Sequence, residues 1–505
     1  MSHLLSMLVL LPLIAGLLCF VVDDREAKPL SLLATLVTFA LSLLLWHGYD
    51  PQGPAFQFAE SVNWIPEFGI RYALGIDGIS LLLILLTTFL GPVVVLSATP
   101  AVQKKLHVYL GWMLVLEAAM IGTFAAMDLF LFYVFWELML IPMYFLIGVW
   151  GGKDRIYATI KFFIYTMVGS LLMLVAIIWL YRLHMDVYGE YSALVTDYYG
   201  IGIARDAQMW LFGAFALAFA IKVPMWPLHT WLPDAHVQAP TGGSVILAGV
   251  LLKMGTYGFV RFAMPMFPDA TVAFTPLFIG LSVIGIIYGA LVAMVQDDIK
   301  KLVAYSSVSH LGFVMLGLFA FNTMGWSGGI YQMLSHGLST GALFLLVGVL
   351  YERRHTREIS EYGGIASVMP AYAFVLMLVT FSSIGLPGLN GFVGEFLVLL
   401  GSFERSPWMT MGATTGVVLG AVYMLWMVER VLYGPQNNPK NADLPDLTRR
   451  EWTYLVPLLV MIVVMGVLPG PFLAVLEPSV DRILGLMQSN MEPMSAFKMF
   501  GGQAP

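Results

Sequence analysis

The stretch AIKVPMWPLHTWLP, residues 220–233, decides how the rest of the chain is interpreted. Lys222 stands more than ten residues into a long apolar run, and Pro224 and Pro227 follow it at once. Each proline removes a backbone donor, so carbonyl groups are left unpaired at this point of a helix. Such groups are tolerated at membrane depth only where protein or a water-filled cavity satisfies them. The stretch therefore predicts a broken helix around an enclosed polar pocket.

The composition identifies the surrounding solvent as lipid. The chain has 505 residues, of which 59% are hydrophobic and 11% are charged, whereas a soluble domain is about 45–50% apolar and about 25% charged. A single cysteine, Cys19, excludes a disulfide framework within the chain and a multi-cysteine metal cluster. There is no Gly-rich nucleotide loop, and the few, scattered basic residues exclude a nucleic-acid site. The sequence therefore predicts an all-α polytopic membrane protein.

Fourteen segments are long and apolar enough to cross a bilayer, which takes about 20 residues each. These segments lie at 4–22, 30–46, 79–97, 107–126, 129–150, 156–181, 209–231, 241–262, 273–294, 301–320, 327–350, 370–400, 408–432 and 453–475. The first segment lacks a basic start and a small-residue cleavage site, so it is interpreted as a retained helix. The loops 47–78 and 182–208 are long enough for a short surface helix or a hairpin.

The distribution of basic residues predicts the orientation of the chain. Loops after odd-numbered segments carry fifteen lysines and arginines, whereas loops after even-numbered segments and the C-terminal tail carry seven. Basic loops remain on the cytoplasmic side of a membrane. We therefore expect both termini on the outer side.

A weak internal repeat appears at a shift of about 170 residues. IKFFIYTMVGSLLMLV (160–175) aligns with IYQMLSHGLSTGALFL (330–345), and the same shift carries the interrupted segment 209–231 onto 370–400. There SSIGLPGLNGF (382–392) breaks the helix. Matching Pro/Gly interruptions in two halves of a chain indicate a transporter site.

Five segments separate the two copies, so the second copy is expected to be inverted relative to the first. The fold is thus predicted as about 14 transmembrane helices with two inverted five-helix repeats that contain broken helices. The predicted parts are three N-terminal helices at 1–100, a first repeat at 105–262 broken near 222–231, a second repeat at 273–435 broken near 382–392, and a C-terminal loop, helix and tail at 436–505.

Six ionisable side chains inside these segments are the candidate functional residues. A rise of about 1.5 Å per residue puts five of them roughly 12–20 Å deep, and the sixth follows the second break. They are Glu137, Lys222, Lys253, His310, His336 and Glu395. Each charge at the bilayer centre costs about 2.5–3.5 kcal/mol, so these groups should pair or face water. Glu137 is the expected partner of Lys222, an arrangement that suits reversible proton binding.

Structural roles compete with these assignments. Lys222 and Glu137 could form a purely structural ion pair, and Glu395 could cap the second half-helix. Lys253 could likewise be structural, with Arg261 at the end of its segment. A membrane histidine often only hydrogen-bonds to a neighbouring helix, which is an alternative for His310 and His336.

Four further polar residues are interpreted more narrowly, and a fifth is left without a role. A structural role is favoured for His229 and His236, which flank the turn at 231–240. Asp77 and Asp128 are each expected to cap the helix that follows them. The role of Glu117 stays open.

Four stretches together resemble the antiporter-like subunit M family of bacterial NADH:quinone oxidoreductase, respiratory complex I, whose mitochondrial counterpart is NADH dehydrogenase subunit 4. They are IPMYFLIGVWGGKDRIYATIKFFIYTMVGS (141–170), KVPMWPLHTWLPDAHVQAPTGGSVILAGVLLKMGTYG (222–258), DDIKKLVAYSSVSHLGFV (297–314) and GLPGLNGFVGEF (386–397). The resemblance covers about residues 75–435.

The resemblance implies a proton pump driven by redox chemistry elsewhere. It implies that proton translocation uses Glu137, Lys222, Lys253, His310, His336 and Glu395. It also implies that FMN, iron–sulfur clusters and quinone are held by other subunits and that this chain holds no cofactor or metal. The implied surroundings are a bacterial inner membrane with periplasmic termini, other membrane-arm subunits, and neighbouring antiporter-like subunits in particular.

Two rival functions remain at this stage. A subunit of a multi-subunit sodium/proton antiporter would share Glu137, Lys222 and Lys253, although the stretch at 141–170 favours complex I. A purely structural membrane-arm subunit would leave pumping intact after its buried charges were neutralised. The repeated cost of buried charge argues against that second rival.

Overall fold

The computed structural model describes residues 3–102 and 104–500, most of which are helical. The α-helices of these residues are α1 (Leu4–Cys19), α2 (Asp24–Gly48), α3 (Gly78–Ala101), α4 (Leu106–Ala125), α5 (Leu129–Leu138), α6 (Leu140–Trp150), α7 (Arg155–Tyr188), α8 (Arg205–Lys222), α9 (Trp231–Gln238), α10 (Thr241–Ile246), α11 (Leu252–Gly258), α12 (Met264–Met266), α13 (Pro268–Met294), α14 (Ile299–Leu318), α15 (Thr323–Arg354), α16 (Ile365–Val368), α17 (Pro370–Ser383), α18 (Asn390–Arg405), α19 (Pro407–Val428), α20 (Arg449–Val467), α21 (Gly470–Ser489) and α22 (Pro493–Phe500). Two strands, β1 (Gln57–Ile65) and β2 (Ile70–Ile76), pair as an antiparallel hairpin. Wide turns of the π type occupy Leu247–Leu251, Phe259–Ala263 and Glu429–Tyr433.

A helix, or a broken pair of helices, lies at each of the fourteen predicted segments. Within the described residues, eleven helical segments have the length and apolar composition needed to cross a membrane. The other three predicted segments hold α1, with 16 residues, and the broken pairs α8–α9 and α17–α18. The prediction of an all-α polytopic membrane protein is confirmed, and the β-hairpin is a small addition outside the spans.

The hairpin fills the long loop between α2 and α3 and fixes the start of α1. Glu60 on β1 accepts a hydrogen bond of 2.8 Å from the backbone N–H of Leu5 and another from the Ser6 hydroxyl. A carboxylate at this position satisfies backbone donors that the first turn of a helix leaves free.

The two predicted aspartate caps are present. Asp77 accepts from the Ser80 N–H at 2.9 Å at the start of α3, and Asp128 accepts from the Phe130 N–H at 2.9 Å at the start of α5. Asp77 also forms a buried ion pair with Arg261, a contact that the sequence did not indicate.

The last predicted segment, 453–475, ends earlier than expected. α20 stops at Val467, where Leu468 adopts φ −124° and ψ 64°, because a residue before proline is disfavoured in the helical region. The chain then forms α21, whose Ser479 hydroxyl lies 3.2 Å from the Tyr49 hydroxyl. The region predicted as one transmembrane helix and a tail therefore contains three helices, α20, α21 and α22.

Among the described spans, α15 is one of two whose apolar core is fully buried, the other being the span from α10 to α12. The most apolar window of α15 is 100% buried, whereas the corresponding windows of α7, α13, α19 and α20 are only 39–44% buried and so expose wide apolar faces. α15 packs closely against α14 and α18, which carry His310 and Glu395. Polar side chains in the central part of α15 are therefore shielded from lipid.

Candidate functional site: a buried polar row

The predicted break after Lys222 is present, and its freed backbone groups find partners. α8 ends at Lys222 and α9 begins at Trp231. Pro224 has no N–H, so the Met225 N–H bonds instead to the Ala220 carbonyl at 2.8 Å. The Ile221 carbonyl accepts from the indole N–H of Trp231 at 2.9 Å. Trp231, the first residue of the second half-helix, thus satisfies a carbonyl group at the end of the first half-helix.

Lys222 is buried, but it does not touch its expected partner. Its Nζ lies 3.6 Å from the Met139 sulfur and 4.8 Å from the centre of the Trp136 ring. Among the described residues, no carboxylate oxygen lies within 4.0 Å of this ammonium. The direct Glu137–Lys222 ion pair is therefore absent, and the ammonium is held by a ring face and a thioether.

Glu137 lies near Lys222 without a direct contact. It occupies the last turn of α5, two residues before the helix is interrupted at Met139. Its Oε1 atom is buried and meets no hydrogen-bond donor of the described chain. The ammonium contacts Trp136 and Met139, the residues on either side of Glu137 in this part of the chain, so the two groups lie in the same region of the interior. A carboxylate and an ammonium separated in this way can be brought together or apart by small side-chain movements.

Lys253 and His336 form the first contact of a polar row toward the second break. The Lys253 Nζ lies 2.7 Å from His336 Nδ1, and it also donates to the Ala248 carbonyl in the wide turn at 247–251. Lys253 is on α11 and His336 is on α15, so the contact joins the predicted first and second halves of the chain. The other ring nitrogen of His336 is buried without a partner among the described residues.

His310 and Glu395 form the second contact of this row. His310 Nδ1 lies 3.0 Å from Glu395 Oε1, and the amide of Gln332 donates to the same oxygen at 3.0 Å. The rings of His310 and His336 are 5.7 Å apart between centres. Four of the six predicted residues therefore lie in one row of Lys253, His336, His310 and Glu395, in which no direct hydrogen bond joins the two imidazole rings among the described residues.

The second break lies beside this row and forms a polar network. α17 ends at Ser383 and α18 begins at Asn390. The Ser382 hydroxyl lies 2.6 Å from the Ser339 hydroxyl and donates to Asn390 Oδ1 at 2.5 Å. Glu395 lies in the second turn of α18 and bonds to His310 and Gln332, so the alternative that it caps this helix is wrong.

A small cavity joins the histidines to the second break. Nearly all of the residues that line it are polar: His310, Gln332, Ser335, His336, Ser339, Thr340, Ser382, Ser383 and Gly391. A cavity with several donors and acceptors is the kind of site in which a buried water is stable. Such a water would connect the unpartnered nitrogen of His336 with the groups around it.

The sequence missed the neutral members of the site. Gln332 lies one turn before His336 on α15, so the two face the same side of that helix. This spacing was visible in the sequence, but an amide carries no charge and so did not stand out. His229 and His236 are both buried without a partner on either nitrogen among the described residues. His236 stacks on Phe344 at 4.5 Å between ring centres, which fits the favoured structural role.

The described residues of this site do not form a set of metal ligands. Over residues 3–102 and 104–500, no group of three or more His, Cys, Asp and Glu side chains is arranged to hold a metal ion. The chemistry that the row supports is proton binding and transfer between amine, imidazole and carboxylate groups.

Comparisons with known proteins show the family and the fold of the chain. The family described as NADH:quinone oxidoreductase/Mrp antiporter, transmembrane, matches residues 126–420. The chain is 49% identical to NADH-quinone oxidoreductase subunit M of Rhodobacter capsulatus, over 96% of this chain and 97% of that protein. It superposes with a TM-score of 0.88 on a chain of respiratory complex I from Thermus thermophilus with bound NADH, at 35% identity, covering 96% of this chain and 99% of that chain.

A more distant structure shares the fold alone. A chain of the Mrp complex from Dietzia superposes with a TM-score of 0.81 at 22% identity, covering 94% of this chain and 52% of that chain.

Proposed function

The chain belongs to the NADH:quinone oxidoreductase/Mrp antiporter transmembrane family, and from this premise we propose that it is the proton-translocating membrane subunit of a complex I. In such an enzyme NADH oxidation and quinone reduction occur in other subunits. FMN, iron–sulfur clusters and quinone then lie in those subunits. This chain contributes the path by which protons cross the membrane.

One observation carries the proposal: the row of Lys253, His336, His310 and Glu395 in the buried interior. Each neighbour in the row can both take and give a proton, and Lys253 and Glu395 close its two ends. A proton that enters at Lys253 can pass through the two imidazoles to the carboxylate. Moving one charge across the membrane works against about 2.3 kcal/mol per 100 mV.

Glu137 and Lys222 form the control element of the proposed pump. The ammonium lies at the end of a broken helix, and the carboxyl lies at a kink in another, so both can shift with small backbone changes. Approach of Glu137 favours the charged lysine, and its withdrawal favours release of a proton. Gly255, two residues after Lys253 in α11, has no room for a side chain, because a Cβ there would lie 2.9 Å from the Val223 nitrogen. A backbone movement at the break would therefore displace α11, the helix that carries Lys253.

The finer features of the assembly are proposed on the same premise. The two five-helix repeats at 105–262 and 273–435 each contain one break and part of the row. The neighbours are other membrane-arm subunits, antiporter-like ones in particular, in a bacterial inner membrane. The excess of basic residues in alternate loops supports cytoplasmic loops there and periplasmic termini.

The runner-up is a subunit of a sodium/proton antiporter. Its support is the shared fold of the Mrp chain, whereas the complex I chain matches at higher identity and over almost its full length. Affinity purification of the tagged chain distinguishes the two functions. NADH dehydrogenase activity should accompany it if the complex I assignment holds and should be absent if the chain serves a stand-alone antiporter.

The proposal is tested by Glu395→Gln in the assembled complex. We expect a large loss of NADH-driven proton uptake into inverted membrane vesicles, with NADH oxidation by an artificial acceptor retained. Glu404→Gln, an exposed change on the same helix, is the matched control and should pump normally. Unchanged proton uptake per NADH in Glu395→Gln would support the purely structural subunit instead.

A further inference from the structure

Glu117 is a buried carboxyl group that the polar row does not use. It lies on α4 with 3% of its surface exposed, and its Oε1 atom meets no hydrogen-bond donor among the described residues. No lysine, arginine or histidine nitrogen of the described chain lies within 4.0 Å of it. An unpaired carboxylate in the interior of a membrane protein is costly, so this position needs a partner that the side chains do not supply.

The carboxyl group points into a small cavity between four helices. The cavity is lined by Thr35 of α2, by Thr87, Gly91, Val94 and Val95 of α3, by Met113, Leu114 and Glu117 of α4, and by Ile246 of α10. A Cβ atom at Gly91 would lie only 2.8 Å from Glu117 Oε1. The glycine therefore makes room for the carboxyl group on the facing helix.

The polar groups of this cavity match an acid rather than a carboxylate. The hydroxyl of Thr35 donates to the Ser31 carbonyl at 3.0 Å, and that of Thr87 donates to the Leu83 carbonyl at 2.7 Å. Both hydroxyls are left with lone pairs only, so they can accept a hydrogen bond but have no proton to give. A protonated carboxyl group has an O–H to donate, whereas a carboxylate only accepts.

The cavity lies next to the start of the polar row. Its wall residue Ile246 directly precedes the wide turn at 247–251, whose Ala248 carbonyl accepts from Lys253. A Cβ at Gly249 in this turn would lie 2.6 Å from the side chain of Leu90, the neighbour of Gly91. At about 1.5 Å per residue, Glu117 and Lys253 are each roughly 17–18 Å from the starts of their helical segments, which share the predicted cytoplasmic side.

We propose that Glu117 is a further proton-binding site of this chain, which holds a proton in the cavity and exchanges it with Lys253. In the exchange, which runs through water because no direct contact joins the two groups, the O–H bond of the acid breaks and an N–H bond forms on the neutral amine, which leaves a carboxylate and an ammonium. The reverse step restores the acid. The inference rests on the proposed proton-pumping function. It adds a proton-binding site beside the row of Lys253, His336, His310 and Glu395.

Infrared difference spectroscopy of the purified complex tests the proposal. The carbonyl-stretch band of one protonated carboxylic acid should be lost in Glu117→Gln and retained in Glu67→Gln, an exposed change on the hairpin loop. The same band should change when NADH drives turnover, and proton uptake per NADH should fall in Glu117→Gln. Glu117→Asp should recover part of the uptake, because it restores the acid.

Gly91→Ala provides a second variant that keeps every ionisable group. Its methyl group would crowd the carboxyl group, so the acid band should shift in frequency. An acid band that is identical in wild type and Glu117→Gln overturns the proposal, and so does a band that responds to sodium instead of protons. A band that never changes during turnover overturns the exchange with Lys253.

The outcome is distinguishable from failure of the proposed function. Normal pumping in Glu117→Gln with lost pumping in Glu395→Gln would refute only the site at Glu117. Normal pumping in both variants would refute the row itself.

Discussion

Replacing Gly401 with alanine should displace α18 from α15 and disturb the His310–Glu395 contact. A Cβ at Gly401 would lie 2.5 Å from the Cα of Gly325, whereas ordinary contact begins at 3.4 Å. The atom it meets is backbone and cannot rotate away, so the helices must separate locally by about 1 Å. Glycines commonly allow such close approach between membrane helices.

The size of the effect follows from this displacement. Forcing an extra methyl group into a well-packed interior costs about 1–3 kcal/mol. At about 2 °C per kcal/mol for a large chain, the midpoint of thermal unfolding should fall by roughly 2–6 °C. A displacement of about 1 Å in positioned groups can also cost about a hundredfold in rate. We therefore expect pumping to fall more steeply than stability.

The assay compares two alanine variants of the assembled complex at one heating rate. Thermal unfolding and NADH-driven proton uptake are measured for Gly401→Ala and for Gly420→Ala, a buried glycine of α19 whose added Cβ would meet nothing within 4 Å. Gly420→Ala should be neutral or slightly stabilising, since alanine favours helix by up to about 1 kcal/mol. Equal behaviour of the two variants would refute the argument that close glycine packing sets the position of Glu395.

Three further perturbations follow from contacts described above. Trp231→Phe removes the donor to the Ile221 carbonyl and should lower the free energy of unfolding by about 1–3 kcal/mol, measured as the thermal midpoint. Arg261→Met leaves Asp77 buried without its cation and should lower the free energy of unfolding by about 3–5 kcal/mol. Adding Asp77→Asn to the same chain should restore part of the amount of assembled complex. Glu137→Gln should greatly reduce both proton uptake and coupled quinone reduction, with artificial-acceptor NADH oxidation preserved.

The controls for these three changes use exposed or paired positions. Trp64→Phe, on the exposed hairpin, should leave the thermal midpoint unchanged, and an equal drop in both tryptophan variants would argue against the role of the indole bond. If the Arg261/Asp77 double variant is no more stable than the single one, the ion pair is not what Arg261 contributes. Full proton uptake in Glu137→Gln would mean that Lys222 works without this carboxyl group.

The positions of the breaks were predictable because proline and glycine act on the backbone directly. Pro224 removes a donor wherever it stands, and the Gly-rich stretch at 382–392 weakens a helix regardless of its neighbours. Helix caps follow the same local logic, which is why Asp77 and Asp128 were identified correctly. The fold class followed from the composition together with the length and spacing of the apolar segments.

The contacts of the buried charges were less predictable, because they depend on which side chains several helices bring together. Lys222 lies against Trp136 and Met139 rather than against Glu137. These three possible partners all lie within residues 136–139, so the sequence did not distinguish between them. Gln332 carries no charge, so nothing marked it as a partner of Glu395. The ion pair between Asp77 and Arg261 joins residues far apart in the chain, and no local pattern connects them.

Because of the wide turn at 247–251, the number of residues in this span can change by one without changing the direction in which Lys253 faces. A regular helix turns about 100° per residue, so adding one residue normally rotates everything beyond it. A π-type turn absorbs one additional residue within a single loop of the helix. Related chains that are one residue shorter in this turn could therefore present the same lysine to the same histidine. A gap in this turn would keep the lysine on the same side of the span, whereas a gap in α10 or α11 would turn it away from its partner.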